Sequence, residues 1–434
     1  MSKHLIVVSV DALTFEDLEF AKTLPFFGKL LNGGAVIQKV KSIYPSFTHP
    51  AHATLITGRT AGKTGIVNNR VFNPASPDAP GVYYNYLDEI KCDTLIHSAK
   101  RNGLTVATSS WPMTSGGSEY IDYLVPNAMN SDFIGYEDDP LQVYRRLGSK
   151  ECVMDIIEKA VSLYGYQNRH PEMDDLQTYC CCEIIKRFKP NLLLTHPGFV
   201  DDERHRYGVF NDKIEASLVR TDAWLGAIYE AVKEAGIEAE TDFIVLGDHG
   251  QINITRTVHI NSYLKRAGFI QTDEKGKILS WDAYAYSVGA SAQVYLSNKN
   301  EELYSAVYSL LSSMANEGVY GFEKVYCEQE VREKYGLYGD FSFVLETDGY
   351  TAFGDAIKEP PIVSVPLENC RYGRGTHGYE PEKGPQTTLL AIGPSIKKGA
   401  VVEKGELINH APTFAKILGI DFACDGKPET RILK

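Results

Sequence analysis

Three aspartates and three histidines recur in this sequence at spacings that suit a shared cation. They are Asp11, the pair Asp201-x-x-x-His205, the adjacent Asp248-His249, and His377 in Gly375-Thr376-His377-Gly378. Several carboxylates gathered on one face either bind a cation or force one another to protonate. Oxygen and imidazole donors without cysteine suit zinc, and manganese or iron less exclusively. Two such sites on one edge would make a two-metal centre of the kind used in phosphoryl transfer. Taken singly, an aspartate at a strand end is ordinarily a cap or turn former, and Asp-x-x-x-His arises often by chance. Gly247-Asp248-His249-Gly250 after a buried strand is more specific, and the ordered set more specific still.

A further candidate is Thr48, in Tyr44-Pro45-Ser46-Phe47-Thr48-His49-Pro50-Ala51-His52. The two prolines keep the first half of this stretch extended or turned, and a short helix is expected after Pro50, stopping at Gly58. Thr48 then stands just outside a helix N-terminus, where unpaired N–H groups and the dipole favour an anion. Its hydroxyl reads either as an N-cap or, in the company of the acids, as a nucleophile. His4, His97, His170, His196, His259 and His410 read as packed or surface residues.

The elements that must position these residues alternate between strand and helix. Leu5–Val10 is a β-branched run of the kind buried on both faces of a parallel sheet, and it delivers Asp11. Phe15–Asn32 has helical spacing, and Ala35–Ser42 is a strand leading to Thr48. Asn191–Thr195 leads to Asp201, and Asp242–Leu246 runs into Asp248. Thr387–Ile392 reads as a late strand and His410–Leu418 as a closing helix. Such alternation predicts an α/β fold, a mostly parallel central sheet flanked by helices. Ligands on such sheets bind beyond the carboxyl ends of the strands, which is where the acids fall. Residues 261–370, rich in tyrosine, read as an inserted α+β cap subdomain; residues 1–260 and 371–434 form the core.

Composition narrows the partners. The 434 residues carry a net charge of −12, so duplex nucleic acid and an anionic membrane surface are not expected partners. No apolar run approaches the roughly 20 residues needed to span a bilayer. The first apolar stretch is short and runs into an acid, so a cytoplasmic protein is expected. The eight cysteines include no C-x-x-C pair, and Cys180, Cys181 and Cys182 lie within a helical pattern. Buried free thiols are expected, not a disulfide framework.

The sequence resembles the alkaline phosphatase superfamily and, within it, the nucleotide pyrophosphatase/phosphodiesterase family. The residues carrying this are Asp11, Tyr44-Pro45-x-Phe47-Thr48-x-Pro50-x-His52, Thr57-Gly58 with Gly65-Ile66-Val67-Asn68-Asn69, Asp201-x-x-x-His205-x-x-Gly208, Gly247-Asp248-His249-Gly250 and Gly375-Thr376-His377-Gly378. The resemblance implies an alkaline phosphatase-like fold and two divalent metal ions, zinc with manganese as the alternative. One would be held by Asp201, His205 and His377, the other by Asp11, Asp248, His249 and the Thr48 oxygen. It implies Thr48 as the nucleophile, a phospho-threonine intermediate, and a small-molecule phosphodiester or nucleotide pyrophosphate as substrate. A phosphonate hydrolase or phosphomonoesterase would keep the same metals, and a non-catalytic phospho-ligand binder would keep them without turnover. Homo-oligomerisation is left open.

Two positions depart from the family pattern. His49 and Ala51 stand where many nucleotide-cleaving members have Phe and Asn. The Phe is expected to stack on a nucleobase and the Asn to donate a hydrogen bond to a phosphate oxygen, so that contact must come from elsewhere. Arg204, between Asp201 and His205, reads as an exposed arginine.

Overall fold

The computed structural model describes residues 3–365 and 373–434. The main sheet has eight strands in the spatial order Val401–Glu406, Ala35–Lys41, Thr387–Ile392, Thr241–Leu246, His4–Ser9, Leu192–Thr195, Val106–Ser109, Tyr123–Val125. Thr387–Ile392 runs antiparallel to both neighbours. The remaining pairings are parallel.

His4–Ser9 is central, and its sequence shows why. Leu5 and Val7 enter one apolar core, Ile6 and Val8 the other, and all four are buried. Each such side chain contributes about 1.5–3 kcal/mol of transfer free energy, so the strand is stable only with both faces covered. The helices Pro25–Gly33, Glu151–Tyr164, Glu172–Phe188 and Asp212–Glu234 cover one face through residues such as Phe27, Ile156, Ile184 and Leu225. Thr48–Thr57, Leu95–Arg101 and His410–Leu418 cover the other through Leu55, Ile96 and Phe414.

A second, four-stranded sheet, in the order Ala283–Ser287, Ser291–Leu296, Phe343–Thr347, Phe322–Cys327, is antiparallel throughout. Its side chains Tyr284, Val294 and Phe343 belong to the same apolar cluster as Leu5 and Val7. Arg256–Val258 pairs with Thr351–Phe353 and Ile362–Ser364, so cross-strand pairing with this region starts ahead of residue 261. The far boundary expected at residue 370 lies outside the described residues.

Three local expectations need correction. The single helix read over Phe15–Asn32 is a 3₁₀ turn at Phe15–Asp17, a short helix at Leu18–Ala21 and a separate helix at Pro25–Gly33. Pro25 cannot accept a continuing helix from its N-terminal side and opens a new one instead. The Thr48 helix begins at Thr48, not after Pro50: Phe47 is the cap and Pro50 occupies the first turn, where a missing N–H costs nothing. Gly58 closes that helix in the left-handed conformation (φ 61°), as its position indicates. Arg204 is wholly buried, with Nη2 2.6 Å from both oxygens of Asp17. Among the described residues no helix is long and apolar enough to cross a membrane, and the seven described cysteines are free thiols.

Candidate metal centre

The three central strands deliver their acids to one edge. After Ser9 the chain turns through Ala12, which adopts a left-handed φ of 57°. The Ala12 N–H donates to Asp248 Oδ1 at 3.0 Å, which ties the first and third acidic turns together. Asp201 and His205 lie one turn apart on the helix Phe199–Tyr207, so both point the same way. The Gly375–Thr376 strand pairs with Ile252–Asn253, just after Asp248-His249, and this pairing carries His377 to the acids.

The side chains converge as their sequence order implied. His205 Nε2 lies 3.2 Å from Asp201 Oδ2 and His377 Nε2 3.7 Å from Asp201 Oδ1. His249 Nε2 is 3.2 Å from Asp11 Oδ1 and 3.4 Å from Asp248 Oδ2. The Thr48 hydroxyl is 3.1 Å from the same His249 nitrogen, so all seven predicted site residues meet at one place. Donor atoms of Asp201, His205 and His377 fall within 4.8 Å of one another, as do those of Asp11, Asp201 and His249. Asp201 thus belongs to both groups. Asp248, read from the sequence as a ligand of the second group, lies against it, with Oδ2 3.4 Å from His249 Nε2.

The acids and imidazoles of the site act strongly on one another's protonation. Burial works to raise the Asp11 carboxyl, but His196 and His249 outweigh it and hold it well below the usual carboxylate range. Burial and the neighbouring Asp11 charge push Asp248 up to about 7. Burial disfavours charge on His249, yet Asp248 and Asp11 raise it to about 10; burial, reinforced by the His249 charge, lowers His377 well below the ordinary range. A divalent cation would replace those protons. The donor chemistry fits one: carboxylate and imidazole only, with Asp248 Oδ2 buried and accepting no hydrogen bond among the described residues. His205 turns its other ring nitrogen to the Gly375 carbonyl at 2.8 Å, the outer contact that fixes a ligating imidazole.

Three residues contribute to the site in ways the sequence did not assign. His196, read as a packed residue, has Nε2 3.2 Å from Asp11 Oδ2 and Nδ1 2.9 Å from the Ser9 carbonyl. Its signal was its place directly after a buried strand. Asn69 lines the cleft beside Thr48, and its Oδ1 accepts the His49 N–H at 2.8 Å, which leaves its amide nitrogen as a donor at the cleft wall. Ala51 is fully buried and does not line the cleft. His170 also lines the cleft, a volume of about 700 Å³ that includes Asp11, Thr48, Asp201, His205 and His377. His49 is buried, with its ring 5.5 Å from that of Tyr83.

A mostly parallel sheet with acids and imidazoles gathered beyond its carboxyl edge defines an alkaline phosphatase-like fold. Murine ectonucleotide pyrophosphatase / phosphodiesterase 5, solved as an inactive threonine-to-alanine variant in complex with AMP, superposes with a TM-score of 0.69 at 17% identity, covering 100% of both chains. The human counterpart gives 0.68 at 17% identity, covering 99% of this chain and 100% of that one. The family model for type I phosphodiesterase / nucleotide pyrophosphatase matches residues 5–380, and the chain belongs to that family. Among relatives, rat ectonucleotide pyrophosphatase/phosphodiesterase family member 1 is 21% identical over 96% of this chain and 41% of its own length. Venom phosphodiesterase of Naja atra is 21% identical over 93% of this chain and 43% of its own. Mouse family member 7 is 20% identical over 96% of this chain and 83% of its own. The chain therefore spans about two fifths of the first two relatives.

Proposed function

We propose that this protein hydrolyses phosphodiester or nucleotide pyrophosphate bonds, with Thr48 as the nucleophile. The observation that carries the reading is the Thr48 hydroxyl, at the first position of a helix and 3.1 Å from His249, beside the two converging donor groups. Asp201, His205 and His377 would hold one divalent ion, and Asp11, Asp248 and His249 with Thr48 the other, with Asp201 in reach of both; zinc is the first choice and manganese the second. Such ions supply Lewis acidity and neutralise the charge that builds on the phosphoryl oxygens.

The chain's own residues do the rest. Thr48 Oγ1 forms a bond to phosphorus as the bond to the leaving oxygen breaks, giving a phospho-threonine; water then cleaves that ester and restores the hydroxyl. The Thr48 helix presents the positive end of its dipole to the developing negative charge, while its His49 N–H is taken by Asn69 Oδ1 and its Ala51 N–H by the Phe47 carbonyl. Asn69 supplies the side-chain donor that Ala51 cannot. His52, with Nδ1 2.8 Å from the Thr48 carbonyl, fixes the first helical turn. The names of the relatives, and the inactive threonine-to-alanine form of the murine neighbour, accord with this reading.

The test is hydrolysis of bis-p-nitrophenyl phosphate by zinc-loaded protein, expected to vanish in Thr48→Ala. A panel of monoesters, diesters, phosphonates and nucleotide pyrophosphates then ranks the substrate classes. Metal uptake with no turnover anywhere in the panel would leave a phospho-ligand binding protein and overturn the enzyme reading.

A further inference from the structure

The cleft does not end at the metal centre. Its lining also includes residues between 127 and 131 and between 168 and 177, which the reaction at Thr48 does not use. His170 is among them, with Nδ1 2.5 Å from Asp174 Oδ2. Asp174 is fully buried, and its other oxygen accepts the Gly198 N–H at 2.7 Å and the Gln177 amide at 3.1 Å. The imidazole packs against Gly198, where a Cβ would come within 2.6 Å of His170 Cε1; the ring therefore occupies space that only glycine leaves open.

The ring is held on two sides, and Nε2 is its remaining polar atom, with no hydrogen-bond partner among the described residues. Burial disfavours charge on this ring, but the Asp174 carboxylate overrides it and raises His170 to about 9. The buried Asp174 carboxylate thus favours the protonated ring, in which Nε2 carries a proton to donate. The acids nearby are engaged: Asp174 as described, and Asp202 with Arg206 at 2.7 Å. Asn127 and Asn168 line the same cleft. A simple diester has one anionic phosphorus and needs no such group.

We propose that His170 binds a second phosphoryl group of the substrate, beyond the phosphorus attacked by Thr48. The inference rests on the function proposed above and assigns this end of the cleft to substrates of the pyrophosphate class. A charge-assisted hydrogen bond from a preorganised donor distinguishes such a substrate from a monoanionic ester.

The experiment measures inhibition of bis-p-nitrophenyl phosphate hydrolysis by inorganic pyrophosphate and by orthophosphate, using zinc-loaded protein. In the wild type the inhibition constant for pyrophosphate is expected to be at least about tenfold below that for orthophosphate, and His170→Gln is expected to shrink the ratio roughly tenfold or more. A wild-type ratio near one, or an unchanged ratio in a folded His170→Gln protein, overturns the assignment. Should that variant not fold, His170→Asn is compared in the same way, its amide keeping a donor toward Asp174 in place of Nδ1; an unchanged ratio there overturns the assignment. Absence of ester turnover by the wild type would sink the proposed function as well, whereas turnover with an unchanged ratio sinks only the role of His170.

Discussion

His249 and His377 stack face to face, with ring centroids 3.9 Å apart and planes 11° apart. The two rings approach Asp201 from the two donor groups that share it, so the stack fixes the separation of those groups. Loss of Asp201 should therefore empty both positions, whereas loss of His205 should empty one. Metal content by elemental analysis is expected to fall from two ions per chain to nearly none in Asp201→Ala, and to about one in His205→Ala. Equal losses in the two variants would show that Asp201 serves a single ion.

Asn69 and Thr48 should separate in their kinetics. Thr48→Ala removes the atom that attacks, and a loss of at least about 10³-fold in kcat is expected. Asn69→Ala keeps the nucleophile and removes one donor to the phosphoryl oxygens. By comparison with other preorganised donors this costs about 10²–10³ in kcat, roughly 3–4 kcal/mol, with a smaller effect on KM. The comparison needs steady-state kinetics on one diester. A change confined to KM would mean that Asn69 binds substrate and does not meet the transition state.

Much of this site was legible because its residues sit where a buried strand stops. The strands before Asp11 and Asp248 are continuous apolar runs, and Asp201 and His205 share one helix face by spacing alone. His377 stood out as a candidate, but its arrival beside Asp201 depends on the pairing of Gly375–Thr376 with Ile252–Asn253, a contact no local pattern announces. The roles of Asn69, noted only as part of a motif, and of His170 were not legible for the same reason, since long-range contacts to His49 and Gly198 give them their setting. The helix Glu151–Tyr164 escaped notice in a stretch crowded with turn residues, although its apolar side, Val153, Ile156, Ile157 and Ala160, is fully buried. The antiparallel course of Thr387–Ile392 could not be read either, because a strand buried on both faces has the same composition in either direction.

The burial of Arg204 leads to a stability test. Its guanidinium pairs with Asp17 and donates to the Val209 carbonyl at 2.9 Å, and Asp17 in turn accepts from the Thr14 N–H and hydroxyl. Arg204→Ala leaves a buried carboxylate without its cation, which costs about 3–5 kcal/mol. Urea denaturation of the zinc-loaded protein should show a lowered midpoint with the slope unchanged. A loss under about 1 kcal/mol would mean that water reaches Asp17 in the variant.

His410 gives a pH dependence of stability that is independent of the reaction centre. Both ring nitrogens are buried without a hydrogen-bond partner among the described residues, and burial lowers its pKa to about 4, the distant pull of Glu429 notwithstanding. The unfolded chain binds a proton at this ring near pH 6.5, the folded chain only near pH 4. Between those values the unfolded state holds more protons, so stability falls as the pH is lowered through the window. The contribution is fully present above pH 6.5 and lost by about pH 4, an amount of about 3 kcal/mol at the order-of-magnitude level. His410→Leu fills similar space, removes the titration and leaves no unpaired polar atom beside Phe414, whose ring lies 6.0 Å away. Denaturation curves at pH 7, 6, 5 and 4 should show the wild type losing stability faster than the variant, the gap opening below pH 6.5 and widening no further below about pH 4. Parallel acid limbs would mean that the folded protein protonates His410 at its ordinary pKa.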